Sequence, residues 1–115
     1  MDYKKPTVQL LGRFQPFHDG HLELFKKALE KTDQVCLMVR DTGGIDEKNP
    51  FDFETVKKGI QDKLLPKYKD KFIILKVPNI VNISYGRDVG YSIEEIDLPD
   101  HIKEISATKI RNSLK

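Results

Sequence analysis

Apolar residues along this chain fall into two rhythms. Thr7-Val-Gln-Leu-Leu11, Val35-Cys-Leu-Met-Val39 and Phe72-Ile-Ile-Leu-Lys-Val77 are short, nearly continuous apolar runs, closed by Gly12, Arg40 and Pro78. Such runs predict buried strands. Between the first two, Leu22, Phe25, Ala28 and Leu29 recur three and four residues apart, and between the second and third so do Phe53, Val56, Ile60 and Leu64. That spacing predicts two helices with one apolar face each. Asp52 or Pro50 opens the second helix and Pro66 ends it. Residues 40–50, with Gly43-Gly44 and many polar side chains, read as a loop. Ile80 to Tyr85 is a candidate fourth strand, Ile93 to Ile96 a short further one, and Ser106 caps a final helix ending near Leu114. Alternating strands and helices predict an α/β fold, a Rossmann-like open parallel sheet with helices on both faces, because parallel strands need crossovers and helices supply them.

Composition narrows the class. A chain of 115 residues has the length of one domain and closes one core, so 1–115 is expected to be a single domain. With 38% hydrophobic and 33% charged residues it is a globular composition. The apolar runs are far below the roughly 20 residues that cross a bilayer, and the start lacks a secretory pattern, so no membrane association and a cytoplasmic location are expected. A net charge of +2, from 20 basic and 18 acidic side chains, gives little attraction for nucleic acid, and none is expected as a partner. Cys36 lies within an apolar run and reads as a buried structural thiol.

Chemistry concentrates where the first strand ends. His18 and His21 sit three apart on the first turn of the first helix, so both imidazoles can reach one bound group. The helix N-terminus beneath them presents unpaired N–H groups and partial positive charge, which favour phosphate, and Gly20 adds no side chain to hold a ligand away. Two histidines could also hold a metal, but no further His or Cys nearby completes a ligand set. Near the other end, Ser106 and Thr108 place hydroxyls on the first turn of the expected last helix, with Lys109 and Arg111 beside them. Cations at a positive helix end are disfavoured unless an anion joins them. Solvated surface cations are the alternative for that pair.

The flanks of both segments carry a family resemblance. Gly12-Arg-Phe-Gln-Pro-Phe-His-Asp-Gly-His21, directly after a strand, resembles the signature of the nucleotidyltransferase superfamily with the His-x-Gly-His motif. Ile105-Ser-Ala-Thr-Lys-Ile-Arg111 resembles that superfamily's Ile-Ser-x-Thr-x-Ile-Arg motif. The Arg-Phe-Gln-Pro form is more similar to the adenylyltransferases acting on nicotinamide mononucleotide than to cytidylyltransferases. The resemblance implies that His18 and His21 contact the nucleotide's phosphates and stabilise the transition state. It places Gly12 and Arg13 in the loop around the triphosphate, with Phe14 and Gly20 as further nucleotide-binding candidates, and Ser106, Thr108 and Arg111 on the β- and γ-phosphates, with Lys109 a secondary candidate there.

The middle of the chain bears on the acceptor. Val39-Arg-Asp-Thr-Gly-Gly44 and Asp46-Glu-Lys-Asn-Pro-Phe51 resemble the loop after the second strand of the nicotinamide-mononucleotide enzymes, whereas the following Asp52-Phe-Glu-Thr-Val-Lys-Lys58 departs from their basic pattern. Tyr85-Gly-Arg-Asp-Val-Gly-Tyr91 combines aromatic rings with a guanidinium suited to a base or phosphate. Together these segments are also similar to small cytidylyltransferase-like domains. Arg40, Asp41, Lys48 and Arg87 are the candidate acceptor or base contacts.

The expected reaction transfers a nucleoside monophosphate from ATP or CTP to a phosphorylated small molecule and releases pyrophosphate. The attacking phosphate oxygen is already ionised, so no strong general base is required. Mg²⁺ bound through the triphosphate is the expected cofactor, with no dedicated protein ligands. A catalytically silent nucleotide-binding module is the alternative, since only four residues follow Arg111 to complete an acceptor pocket. Whether the chain forms a homo-oligomer stays open.

Overall fold

The computed structural model describes residues 1–41, 50–87, 90 and 92–96. Its elements run β1 (Val8–Gly12), α1 (Asp19–Thr32), β2 (Val35–Arg40), α2 (Phe53–Leu64) and β3 (Phe72–Val77). The three strands are parallel in the order β1-β2-β3, with Leu10 opposite Leu37 and Leu37 opposite Ile74. This is the Rossmann-like open parallel sheet that the alternation predicts.

Side-chain alternation divides the sheet. Leu10, Val35, Leu37 and Val39 share one core cluster with Phe25 and Ala28 of α1 and Val56, Ile60 and Leu64 of α2, so both described helices cover the same face. The interleaving residues Leu11, Cys36, Met38 and Ile73 are only half-buried. The final helix expected from Ser106 lies outside the described residues. Burial pushes the Cys36 thiol up, which keeps it protonated and fits a structural thiol.

Local signals set the helix ends. α2 starts at Asp52, whose carboxylate accepts from the Thr55 N–H at 2.8 Å and answers one of the orphan donors of the first turn. It stops at Leu65, which is extended because the residue before a proline avoids helical backbone. α1 stops at Asp33, which turns left-handed (φ 69°) and returns its N–H to the Leu29 carbonyl. The buried Gln34 serves the structure rather than the chemistry. Its amide donates to the carbonyls of Asp2 and Lys5 and to the Thr7 hydroxyl, which pins the N-terminal segment.

Two expected strands do not form. Ile80 to Tyr85 joins no ladder, and Val81, Ile83 and Tyr85 are exposed. The cause lies at Pro78: the Ile80 N–H turns back to the Pro78 carbonyl at 2.7 Å, a three-residue turn that takes the chain off the line of β3. Residues 93–96 also form no strand, although Ile96 packs against the core. No described helix is long and apolar enough to cross a membrane.

Candidate active site

In a parallel sheet the carboxyl ends of all strands, and the N-termini of the crossover helices, lie at one end. Here that end is marked by Gly12 opposite Val39 and by Arg40 opposite Val77. The turn from β1 into α1 crosses it with an unusual backbone. Phe14 adopts positive φ (51°), and its ring, 3% exposed, folds back over Gly12. A Cβ at Gly12 would sit 3.0 Å from the tip of that ring, so the position is built for glycine.

The two histidines cap α1 with each other. His18 is the N-cap residue, and its Nδ1 accepts from the N–H of Gly20 (3.0 Å) and of His21 (3.4 Å). In return the His18 N–H donates to Nδ1 of His21 at 3.1 Å. This is a capping box in which imidazoles replace the usual hydroxyl and carboxylate. The rings stack with centroids 3.8 Å apart. Phe17 also stacks against His21, at 5.5 Å, and Phe14 meets it edge-on at 5.0 Å.

That packing controls ionisation. Burial lowers the pKa of His21 to about 3, aided by the neighbouring His18 and partly opposed by a hydrogen bond with the Pro16 backbone. His18 is lowered too, first by burial and then by Lys63, with Asp19 pulling the other way. Both rings are therefore neutral at pH 7. Since each Nδ1 accepts a backbone hydrogen bond, the network assigns the ring proton to Nε2 in both. The site thus offers neutral N–H donors at a helix N-terminus.

The other expected residues fall in different places. Gly20 is buried in the first turn of α1, and Arg13 and Gly12 are half-buried at the sheet end beside the histidines. The Phe14 ring is committed to the core, so what it gives the site is support for His21. Arg40 and Asp41 extend the same end of the sheet: the Asp41 N–H donates to the Val77 carbonyl, and Arg40 Nη1 reaches the Ile80 carbonyl at 3.4 Å. Arg87 is exposed on the irregular segment after β3. Lys48, Ser106, Thr108, Lys109 and Arg111 lie outside the described residues.

Two residues of the same decapeptide contribute in ways that the sequence pattern does not assign. Phe17 is buried, and its ring stacks on His21. Gln15 is 3% exposed, and its side-chain amide makes a reciprocal pair with the Phe51 backbone: it donates to the carbonyl at 2.8 Å and accepts from the N–H at 2.9 Å. An ion pair from Lys63 of α2 to Asp19 of α1, at 2.9 Å, joins the same two helices elsewhere.

Comparison with known proteins bears on the family and the fold. Residues 10–61 match the family model described as cytidylyltransferase-like, a span holding the histidine pair, β2 and most of α2. A nicotinamide-nucleotide adenylyltransferase of Sulfurisphaera tokodaii is 30% identical over 132 aligned positions, covering 87% of this chain and 74% of that protein. The enzyme of the same name from Thermoplasma acidophilum is 47% identical over 34 residues, 30% of this chain and 19% of that protein. Among solved structures, a bifunctional NMN adenylyltransferase/ADP ribose pyrophosphatase from Francisella tularensis superposes with a TM-score of 0.59 at 31% identity, covering 64% of this chain and 22% of the other. A second structure of that enzyme, complexed with AMP and a Mn ion, superposes at 0.51 and 29% identity over the same shares. Apart from the Sulfurisphaera alignment, the matched part of this chain thus spans about a fifth of these relatives' lengths.

Proposed function

This chain belongs to the cytidylyltransferase-like nucleotidyltransferases, and from that membership we propose that it transfers the nucleoside monophosphate of ATP or CTP to a phosphorylated small molecule, releasing pyrophosphate. ATP as donor and nicotinamide mononucleotide as acceptor are the favoured pair, because the relatives it resembles are named for that reaction. The observation that carries the reading is the stacked, neutral His18–His21 pair seated on the N-terminus of α1.

Such a transfer asks the protein for positioning and for donors aimed where charge develops. The helix N-terminus supplies backbone N–H groups and a partial positive charge to the triphosphate. His18, with Nδ1 held by the backbone, turns its Nε2–H toward the phosphate being transferred. His21 gives the same donor by exchanging the Pro16 carbonyl for a phosphate oxygen. Neutral imidazoles suit this role, since they donate hydrogen bonds without first drawing a proton from the acceptor phosphate. Arg13 and Gly20 complete the donor side, with Ser106, Thr108, Lys109 and Arg111 on the β- and γ-phosphates. Arg40, Asp41, Lys48 and Arg87 serve the acceptor or the base.

The donor set fits Mg²⁺ carried by the nucleotide. Mg²⁺ prefers oxygen ligands, which the triphosphate supplies, and two Nδ1 atoms already engaged by backbone N–H groups do not compete for it. When bound, the ion lowers repulsion between the two anionic reactants. Incubation with each nucleoside triphosphate, Mg²⁺ and a panel of phosphorylated acceptors tests the proposal. Pyrophosphate release with at least one pair is expected; silence across the panel, with tight nucleotide binding by calorimetry, would instead establish a binding module.

A further inference from the structure

Gln15 is one of three buried polar residues among those described, and unlike Gln34 it spans two parts of the site. Its amide pairs with the backbone of Phe51 in both directions, at 2.8 and 2.9 Å, across 36 residues of sequence. The pair copies one rung of a β-ladder, with a side chain in place of a second strand. One end is anchored in the turn between Phe14 and Phe17, whose rings hold His21. The other end is the residue before Asp52, the N-cap of α2. This buried amide therefore ties Phe51, the residue before the N-cap of α2, to the turn that leads into the histidine pair.

Few alternatives to glutamine satisfy such a contact. Glutamate at neutral pH could accept from the Phe51 N–H, but it has no proton for the Phe51 carbonyl. An apolar residue leaves both backbone groups unpaired in a buried place, which costs more than the net value of the bonds. The Lys63–Asp19 pair also joins the two helices, but it is solvent-exposed at Asp19 and adds little rigidity.

We infer that Gln15 is a positioning residue for the acceptor: it holds Phe51 and the start of α2 at a set distance from the phosphate-binding histidines, so that the acceptor phosphate meets the nucleotide in line. This rests on the nucleotidyl-transfer function proposed for the chain. No direct contact between Gln15 and either reactant is required. Its loss raises KM for the acceptor while leaving donor affinity nearly intact.

The test uses Gln15→Met and Gln15→Glu in the full chain. Both variants at pH 8 are expected to raise acceptor KM about tenfold or more, with Kd for ATP or CTP changed less than about threefold. Glutamic acid, once protonated, again presents one donor and one acceptor and is isosteric with glutamine. The Gln15→Glu defect, taken as a ratio to wild type, should therefore shrink several-fold between pH 8 and 5.5, while the Gln15→Met ratio stays flat. His18, His21 and Asp52 all have lowered pKa values and are common to the three proteins, so they do not distinguish the two ratios. Amide hydrogen exchange at Phe51 gives a readout independent of activity, with protection expected to fall about tenfold in Gln15→Met. Unchanged acceptor KM, or unchanged Phe51 protection, would overturn the inference. If wild type releases no pyrophosphate, the functional reading fails by itself, and Phe51 exchange still decides whether Gln15 holds that segment.

Discussion

The packing of His21 makes the fold sensitive to mild acid in a way that can be calculated. In the unfolded chain its imidazole titrates near 6.5, and in the native site near 3, chiefly because the Phe14 and Phe17 rings exclude water from it. A histidine whose native pKa is depressed leaves stability intact above the unfolded value and removes it as pH falls toward the native one, because only the unfolded chain takes up the proton in between. At pH 5 the unfolded state is favoured by roughly 2 kcal/mol relative to pH 7.5, rising to about 4 kcal/mol near pH 3, at 1.36 kcal/mol per pH unit between the two pKa values. Urea denaturation at pH 7.5 and 5.0 reads this directly when paired with His21→Gln. Glutamine at the third helical position still completes a capping box, but it does not titrate. Wild type should lose roughly 2 kcal/mol more than the variant over that interval. Parallel losses, within about 0.5 kcal/mol, would refute the claim that the ring is held neutral by burial.

Further substitutions probe the frame around the site. Phe25→Ala, at a fully buried ring packed on Tyr68 and Phe72, should cost about 3–5 kcal/mol by denaturant titration. Gly12→Ala places a methyl 3.0 Å from the buried Phe14 ring, so it should cost about 1–3 kcal/mol and lower turnover, since that ring supports His21. Asp52→Ala removes the cap of α2 and should lower the midpoint of a thermal melt, with Asp52→Asn close to wild type in the same melt.

How much of the fold and site is legible in the sequence depends on the range of the interaction. β3 and α2 match their expected spans because apolar periodicity and flanking prolines act within a few residues. The same holds for the histidine pair, whose spacing and helical context already imply a shared face. The Ile80–Tyr85 segment misleads because alternating apolar residues form a strand only if an edge is within reach, and the turn at Pro78 removes it. The mutual capping of His18 and His21 could be suspected from their spacing, but their neutrality could not, since it comes from rings that arrive with a left-handed Phe14. Gln15 is least legible: its partner is a backbone group 36 residues away, and backbone groups carry no sequence signature. The Ser106–Arg111 half of the expected triphosphate grip lies outside the described residues.

The central claim is that His18 and His21 stabilise the transferring phosphate, and substitutions that keep the helix cap isolate that role. Asparagine caps helices as well as any residue, so His18→Asn preserves the fold while deleting the Nε2–H donor, and His21→Gln does the same at the third position. Single-turnover rates with ATP and nicotinamide mononucleotide, set beside calorimetric Kd for ATP, measure the two effects separately. Each variant is expected to lose about 100-fold or more in rate, His18→Asn the more severely, while Kd changes by less than about tenfold. Wild-type rates in either folded variant would contradict that role.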